Sequence, residues 1–148
     1  MTEREILRGY AIFGDSIDYQ LVRMDERAKY LTRSMGVIYV SGNTINSWGA
    51  MPDDILIHEL VHVWQYQKFG AGYISCALKA QGSTSGYKYA DREDWHQKPS
   101  ILNFNAEQQG DLVQDYFRMI NGARANWGHV TKADLPFMEK YIAELRTI

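Results

Sequence analysis

Residues 53–69 read DDILIHELVHVWQYQKF, and this stretch decides the fold. Its apolar residues spread widely around a helical projection, as is expected of a helix that is buried on most sides. Pro52 and the acidic pair after it favour a helix start, because proline suits the first turn and carboxylates complement the positive end of the helix dipole. Gly70 is typical of a helix end. We therefore predict a buried helix over 53–69, with a polar triplet in its middle.

That triplet consists of His58, Glu59 and His62, in the pattern His-Glu-x-x-His. A spacing of four residues on a helix separates two side chains by about 40° around the axis and roughly 6 Å along it, so both imidazoles can bind one ion. A catalytic zinc takes three protein ligands and a water, which it acidifies. Without a partner, three buried polar groups would each incur a desolvation cost, and a bound Zn²⁺ ion removes it. The motif predicts a zinc site in which Glu59 takes the proton of the water and passes it to the leaving amine.

The third ligand is expected from Glu107. It opens a second predicted helix, 105–120, which has Asn105 as its N-cap, and Asp111 follows four residues later. On a helix these two carboxylates share one face, so Glu107 can bind zinc while Asp111 accepts the free N–H of a ligand histidine. No third histidine follows at the short metzincin spacing. The rivals for the third ligand are Asp91, Glu93, Asp94 and His96, of which the three acidic residues are typical of a solvated charged loop.

The rest of the chain predicts an α+β domain, taken as a single metallopeptidase domain over 1–148. Two stretches indicate strands, 12–24 with a break around 14–16, and 37–41, because Ile, Tyr and Val recur there between Gly and Asn. A shorter helix over 71–80, a glycine-serine loop over 82–86 and a last helix over 133–145 follow. The expected fold is a small zincin-like domain with a short N-terminal β-sheet, the zinc helix and the second ligand-bearing helix, and substrate bound between the sheet edge and the zinc helix.

Three residues are candidates for stabilising an oxyanion. Tyr87 and Tyr89 follow the glycine-serine loop, and His129 follows a Trp-Gly turn, so each could donate a hydrogen bond to developing negative charge. For each of them a structural role is the main alternative. Gln65 and Phe69 lie on the face of the two motif histidines, where they could line the cleft or support the zinc site, although packing is the main expectation.

Composition excludes several classes of protein. The apolar fraction is 45% and the charged fraction 23%, as in ordinary globular proteins. A net charge of -2 with scattered basic residues disfavours nucleic acid as a partner. Cys76 is the single cysteine, which leaves no disulfide and no cysteine-based zinc site. We expect no signal peptide and no membrane span. The chain could therefore be cytoplasmic, part of a larger protein, or exported by a route that needs no cleaved signal.

Residues 56–67 and 104–111 together resemble the gluzincin pattern, in which His-Glu-x-x-His is followed by a helical Glu-x-x-x-Asp. More narrowly, they resemble the small metallopeptidase domains at the C-termini of some VgrG spike and Rhs proteins of bacterial type VI secretion, and residues 13–19 and 77–81 are similar too. The resemblance covers about 11–118. It makes His58, His62 and Glu107 the zinc ligands, Glu59 the catalytic base and Asp111 the partner of a ligand histidine.

The resemblance further implies a zinc endopeptidase with a protein or peptide substrate. It would be delivered as a toxin by a secretion spike carrier, would act in the periplasm of a target cell, and would be matched by a cognate immunity protein. The C-terminal domain that carries the transition-state histidine of larger gluzincins such as thermolysin has no obvious counterpart here, so the oxyanion donor stays open. Two other readings remain: a zinc-dependent amidase acting on cell-wall peptide or another amide, and a catalytically inactive zinc-binding module.

Overall fold

The computed structural model describes residues 1–72, 89 and 95–148. Within these ranges the chain forms four α-helices and one three-stranded sheet, which confirms the α+β class. The helices are α1 Glu3–Phe13, α2 Asp53–Phe69, α3 Ala106–Ile120 and α4 Leu135–Thr147, and the strands are β1 Arg23–Asp25, β2 Tyr39–Ser41 and β3 Thr44–Asn46. Short 3₁₀ turns cover Gly14–Ser16, Trp95–Gln97, Ile101–Asn103 and Lys132–Asp134, and a π-helical turn covers Lys29–Arg33. The predicted helix over 71–80 and the loop over 82–86 lie mainly outside the described residues.

The first element is a helix, so the predicted strand over 12–24 is wrong for most of its length. Thr2 caps α1, accepting a hydrogen bond from the Glu5 backbone N–H while the Glu5 side chain accepts one from the backbone N–H of Thr2. This capping box starts a helix whose buried face includes Ile12 and Phe13. Gly14, at a φ of 56°, then ends it. The first of the apolar residues that suggested a strand are therefore the end of an amphipathic helix, and only residues 23–25 form a strand.

The predicted N-terminal sheet exists, with the strand order β1-β3-β2. β1 runs parallel to β3, and β2 runs antiparallel to β3 with Val40 opposite Ile45. Gly42, at a φ of 63°, provides the turn between β2 and β3. The prediction of a strand over 37–41 is thus confirmed for residues 39–41, whereas the central strand β3 was not predicted.

The core is built around α2, whose predicted bounds are confirmed at both ends. Its buried apolar side chains contact α1 and the sheet, and a polar strip faces α3, the element with which it makes its most extensive contact. Asp54 joins the two helices, because its Oδ2 accepts hydrogen bonds from Gln114 Nε2 at 3.1 Å and from Arg118 Nη1 at 2.6 Å. Polar side chains of α2 and α3 can therefore contact each other across this interface.

The C-terminal helix α4 closes the core, close to its predicted span of 133–145. Arg146 donates hydrogen bonds to the backbone carbonyls of Ile12 at 2.9 Å and Ala11 at 2.6 Å, which satisfies the end of α1. Tyr141 donates to the carbonyls of Trp95 and Lys98. None of the described helices is long and apolar enough to cross a membrane.

Candidate metal centre

The two motif histidines of α2 meet a glutamate of α3. His58 Nε2 lies 3.5 Å from Glu107 Oε2, and His62 Nε2 lies 3.5 Å from Glu107 Oε1. Each of the three side chains keeps only 12 to 15% of its surface exposed. The start of α3 is set by Asn105, which accepts from the Gln108 backbone N–H at 2.9 Å. This cap places Glu107 in the first helical turn, facing α2.

The donor atoms of these three residues are close enough to share one ion. One ligand atom from each of His58, His62 and Glu107 lies within 4.8 Å of the other two, so that together they could hold an ion. The 3.5 Å contacts join the two rings to different oxygens of Glu107. Two imidazoles and one carboxylate suit zinc and leave one position of the tetrahedron free. The structure thus brings together the three residues that the sequence predicted as ligands.

Without a metal, the three ligands form a charged cluster. Burial lowers the pKa of His62, but the hydrogen bond and charge of Glu107, with smaller effects of Glu59 and Gln65, outweigh it and raise this pKa to about 9. Burial raises the pKa of Glu107, and the two histidines reverse this, leaving it well below its usual range. Metal ligands bind in their deprotonated forms, so a divalent cation would displace a proton from this cluster.

Asp111 supports His58 from the side opposite Glu107. Its Oδ1 lies 3.4 Å from His58 Nδ1, and the carboxylate is fully buried. Among the described residues it makes no shorter polar contact. Burial first, and then the charges of Glu107 and Asp115, raise the pKa of Asp111 to about 8. Neither His58 Nδ1 nor the Asp111 carboxyl has a hydrogen-bond partner among the described residues. A cation bound at His58 Nε2 would favour a proton on Nδ1, and the donation of that proton to Asp111 stays a prediction.

Glu59 lies beside the cluster on α2 and is only 6% exposed. Burial raises its pKa, the two histidines lower it, and the charge of Glu107 raises it again, with a net increase. Glu59 is therefore a buried carboxyl group that interacts electrostatically with all three candidate ligands.

Gly110 is a site residue that the sequence analysis did not identify. A Cβ added there would lie 2.6 Å from His58 Cε1 and 2.8 Å from Nε2. The His58 ring therefore lies directly against the backbone of α3, and only a glycine leaves room for it. A glycine inside an otherwise helical pattern was the available signal, because such a residue usually has a packing or functional reason.

Gln65 contributes more than packing. Its Oε1 lies 2.9 Å from His62 Nδ1, so the side chain supports a ligand histidine. Phe69, by contrast, packs edge-on against Trp64 with ring centroids 5.5 Å apart. His96 lies away from the cluster, stacked on Trp95 and 3.4 Å from an oxygen of Asp134. The other rivals for the third ligand lie outside the described residues.

The oxyanion candidates are not brought to the cluster in a way that assigns the role. The buried Tyr89 donates its hydroxyl proton to Asp115 Oδ2 at 2.9 Å, a bond that would have to break before it could serve an oxyanion. His129 is exposed and follows Gly128, whose backbone N–H also donates to Asp115. Tyr87 lies outside the described residues. Asp115 thus holds Tyr89 and Gly128 in place through hydrogen bonds, a structural role that the sequence analysis did not predict.

An open cavity of about 600 Å³ adjoins the C-terminal end of α2. Tyr66, one turn beyond His62, contributes to its wall together with Asn43 from the turn between β2 and β3. None of His58, Glu59, His62 and Glu107 lines this cavity, so it is separate from the ligand cluster and the expected substrate position stays a prediction.

This chain is similar in sequence to a component of a bacterial secretion system. No family model matches it, and no solved structure matches it. The chain is 30% identical over 131 residues to the type VI secretion system spike protein VgrG2b of Pseudomonas aeruginosa. The match covers 79% of this chain and 13% of that protein, so the chain spans a small part of its relative. Most of the chain is thus related to a segment of a type VI secretion spike protein.

Proposed function

We propose that the chain is a zinc-dependent endopeptidase whose metal is bound by His58, His62 and Glu107. The observation that carries the proposal is the meeting of these three ligands within 4.8 Å of one another, next to the buried carboxylate of Glu59. Structural zinc sites usually use four protein ligands and favour cysteine, whereas catalytic sites use three and keep one position for water or substrate. Among the described residues the donor set has three members, which supports a site of the second kind.

When bound, zinc would supply Lewis-acid chemistry, acidifying a water and polarising the scissile carbonyl. Glu59 accepts the proton of the attacking water and donates it to the leaving amine. Its buried position keeps bulk water from competing for that proton. Asp111 holds His58 in the orientation that directs Nε2 towards the metal position, and Gly110 provides the space for the ring. The oxyanion donor remains unassigned.

The similarity to a spike protein supports a biological setting for this activity. We propose a bacterial effector domain that is carried by a type VI secretion spike and acts as a toxin on proteins of a target cell, for instance in its periplasm. A producing cell would then need a cognate immunity protein.

The activity is tested by comparing wild type with Glu59→Gln. Glu59 is not a ligand, so the variant should keep stoichiometric zinc by elemental analysis and lose casein cleavage by a factor of at least ~10². Glu139→Gln, on the exposed face of α4, is the matched control and should cleave like wild type. Equal cleavage by Glu59→Gln and wild type would contradict the mechanism.

The same experiments distinguish the two alternative functions. Release of cell-wall fragments without casein cleavage would indicate the amidase. A binding module would bind zinc but show neither activity. Cells that express it as wild type would then contain no new protein termini compared with cells that express Glu59→Gln.

A further inference from the structure

A chain of buried amides joins the second ligand histidine to the start of α3. His62 Nδ1 lies 2.9 Å from Gln65 Oε1. Gln65 Nε2 donates to Gln109 Oε1 at 2.9 Å and to the backbone carbonyl of Ala106 at 3.0 Å. Gln109 Nε2 in turn donates to the carbonyl of Phe104 at 2.9 Å. These hydrogen bonds link residues that are more than 40 positions apart in the sequence, and they lie in the α2–α3 interface beside the ligands.

The donor and the acceptor of each hydrogen bond in this series follow from the two backbone carbonyls on which it ends. A backbone carbonyl can only accept, so the amide of Gln109 must turn its NH₂ to Phe104 and its oxygen to Gln65. Gln65 then meets two acceptors, Gln109 Oε1 and the Ala106 carbonyl, and must turn its own NH₂ towards them. Its oxygen is left facing His62. Flipping either amide would set oxygen against oxygen in a place where water does not reach, since Gln65 is 1% and Gln109 0% exposed.

An oxygen facing Nδ1 determines the form of the imidazole. Nδ1 must carry a proton to donate to Gln65, so the neutral ring has its lone pair on Nε2, the nitrogen that faces Glu107. We propose that Gln65 is a positioning residue that holds His62 in this metal-binding tautomer, and that Gln109 acts through Gln65 by fixing the orientation of its amide. This inference rests on the proposed metal centre.

The two ligand histidines are therefore supported by different chemistry. His58 faces a carboxyl group, that of Asp111, whose Oδ1 lies 3.4 Å from Nδ1. His62 faces a neutral amide, which fixes the proton without adding charge to the cluster. A second carboxylate in place of Gln65 would meet the carbonyl of Ala106 and the oxygen of Gln109, so the surroundings select an amide at this position.

Zinc affinity tests this assignment, measured by competition with a chromophoric chelator. Gln65→Met keeps the size of the side chain but lacks its strong acceptor, and we expect zinc to bind ~10- to 100-fold more weakly. Gln109→Met should weaken binding less. The double variant should bind like Gln65→Met alone, because Gln109 acts only through Gln65. Gln67→Met is the control on the same helix, since the Gln67 amide bonds to Asp18 and Asn43 and should leave zinc affinity within twofold of wild type.

A packing role for Gln65 makes different predictions. It would lower the stability of the metal-free protein while leaving the zinc affinity of the folded protein unchanged. Gln65→Met with the affinity of Gln67→Met, or additive effects of the two substitutions, would overturn the proposal.

NMR of the zinc-loaded wild type tests the inference without any substitution. The Nδ1–H of His62 should exchange slowly with solvent, whereas rapid exchange like that of the exposed His129 ring would contradict a bond to Gln65. Wild type that takes up no zinc would instead contradict the proposed function, which keeps the two failures distinguishable.

Discussion

Gly110 lies where α3 passes against the ring of His58, so a single hydrogen atom in place of a methyl group determines whether the ligand fits. Gly110→Ala should lower the free energy of unfolding by about 1–3 kcal/mol, as overpacking does, and weaken zinc binding at least ~10-fold because the ring must turn away. Calorimetry and chelator competition measure the two effects. Gly72→Ala is the control, because a Cβ there meets no described residue within 4 Å. Equal zinc affinity of the two variants would refute the close contact.

The ligand cluster also gives the metal-free protein a pH dependence. The pKa of His62 is raised to about 9 and that of Asp111 to about 8. A group whose pKa is raised on folding stabilises the protein most below its unfolded pKa, and this stabilisation is lost as the pH rises through the folded value. Between pH 6.5 and 9 the metal-free protein should therefore lose stability, on the order of 4 kcal/mol for the two groups together.

Urea unfolding in the presence of a chelator, at pH 6.5 and at pH 9, measures this loss. His62→Ala should reduce the pH dependence, whereas His129→Ala, which alters an exposed side chain, should leave it unchanged. A metal-free protein that becomes more stable over this range would show that the cluster does not hold the extra protons.

At the scale of elements, the spacing of the ligands depends on the contact between α2 and α3. Near one end of this contact, Asp54 of α2 accepts hydrogen bonds from Gln114 and Arg118 of α3. Burial raises the pKa of Asp54, but the hydrogen bonds from Gln114 and Arg118 lower it overall. A lowered pKa means that the stabilisation is present above the unfolded pKa and is lost as the pH falls through the folded value.

Asp54→Asn should consequently reduce the free energy of unfolding by about 1 kcal/mol near neutral pH, since the pair is partly exposed. The difference from wild type should shrink in acid. Asp53→Asn is the neighbouring control, because Asp53 pairs with the exposed Arg4 and Arg8 instead, and it should change stability by less than ~0.5 kcal/mol. If both variants lost the same amount at neutral pH, Asp54 would not tie the helices.

The helices were predictable where their signals are local. Pro52 and Gly70 bracket α2, and Asn105 starts α3, so the bounds of both were predicted within a residue or two. The first helix was missed because its decisive signal is the capping box of Thr2 and Glu5, which outweighs the strand-like composition around Ile12. β3 is three residues long, too short for a period of two to be recognised, and its position depends on pairing with β1 and β2.

The same division applies to the site. His58, Glu59 and His62 are related by one helical turn, and so are Glu107 and Asp111, which is why the sequence predicts them. Gln65 and Gln109 are 44 residues apart, and the fit of Gly110 against His58 also depends on how α2 and α3 meet. Contacts of this kind depend on the packing of the two helices and have no periodicity along the chain.

At the scale of the whole molecule, the core does not depend on the metal. Buried apolar residues from α1 to α4 form one cluster that includes Phe13, Trp64, Leu112 and Leu145. We therefore expect the metal-free chain to stay folded, with its helical circular dichroism retained in a chelator. Zinc at ~1,000 times its Kd should add about 4 kcal/mol, or roughly 8–16 °C in Tm for a domain of this size.

Thermal scans with and without zinc, with His58→Ala as the control that should show no increase, measure this stabilisation. Loss of the helical signal on chelation alone would mean that the metal organises the fold, and would favour the binding module over the enzyme.

The contact between α2 and α3 has an evolutionary consequence. All three proposed ligands, the proposed general base and the supporting side chains belong to these two helices, so members of the pair can change only together. Among the described residues, the sheet and the other helices contribute none of these side chains, and diverging relatives are free to remodel them while the two helices persist. Alignments of such relatives should show drift in residues 1–50 and invariance at positions 58, 59, 62, 65, 107, 109, 110 and 111.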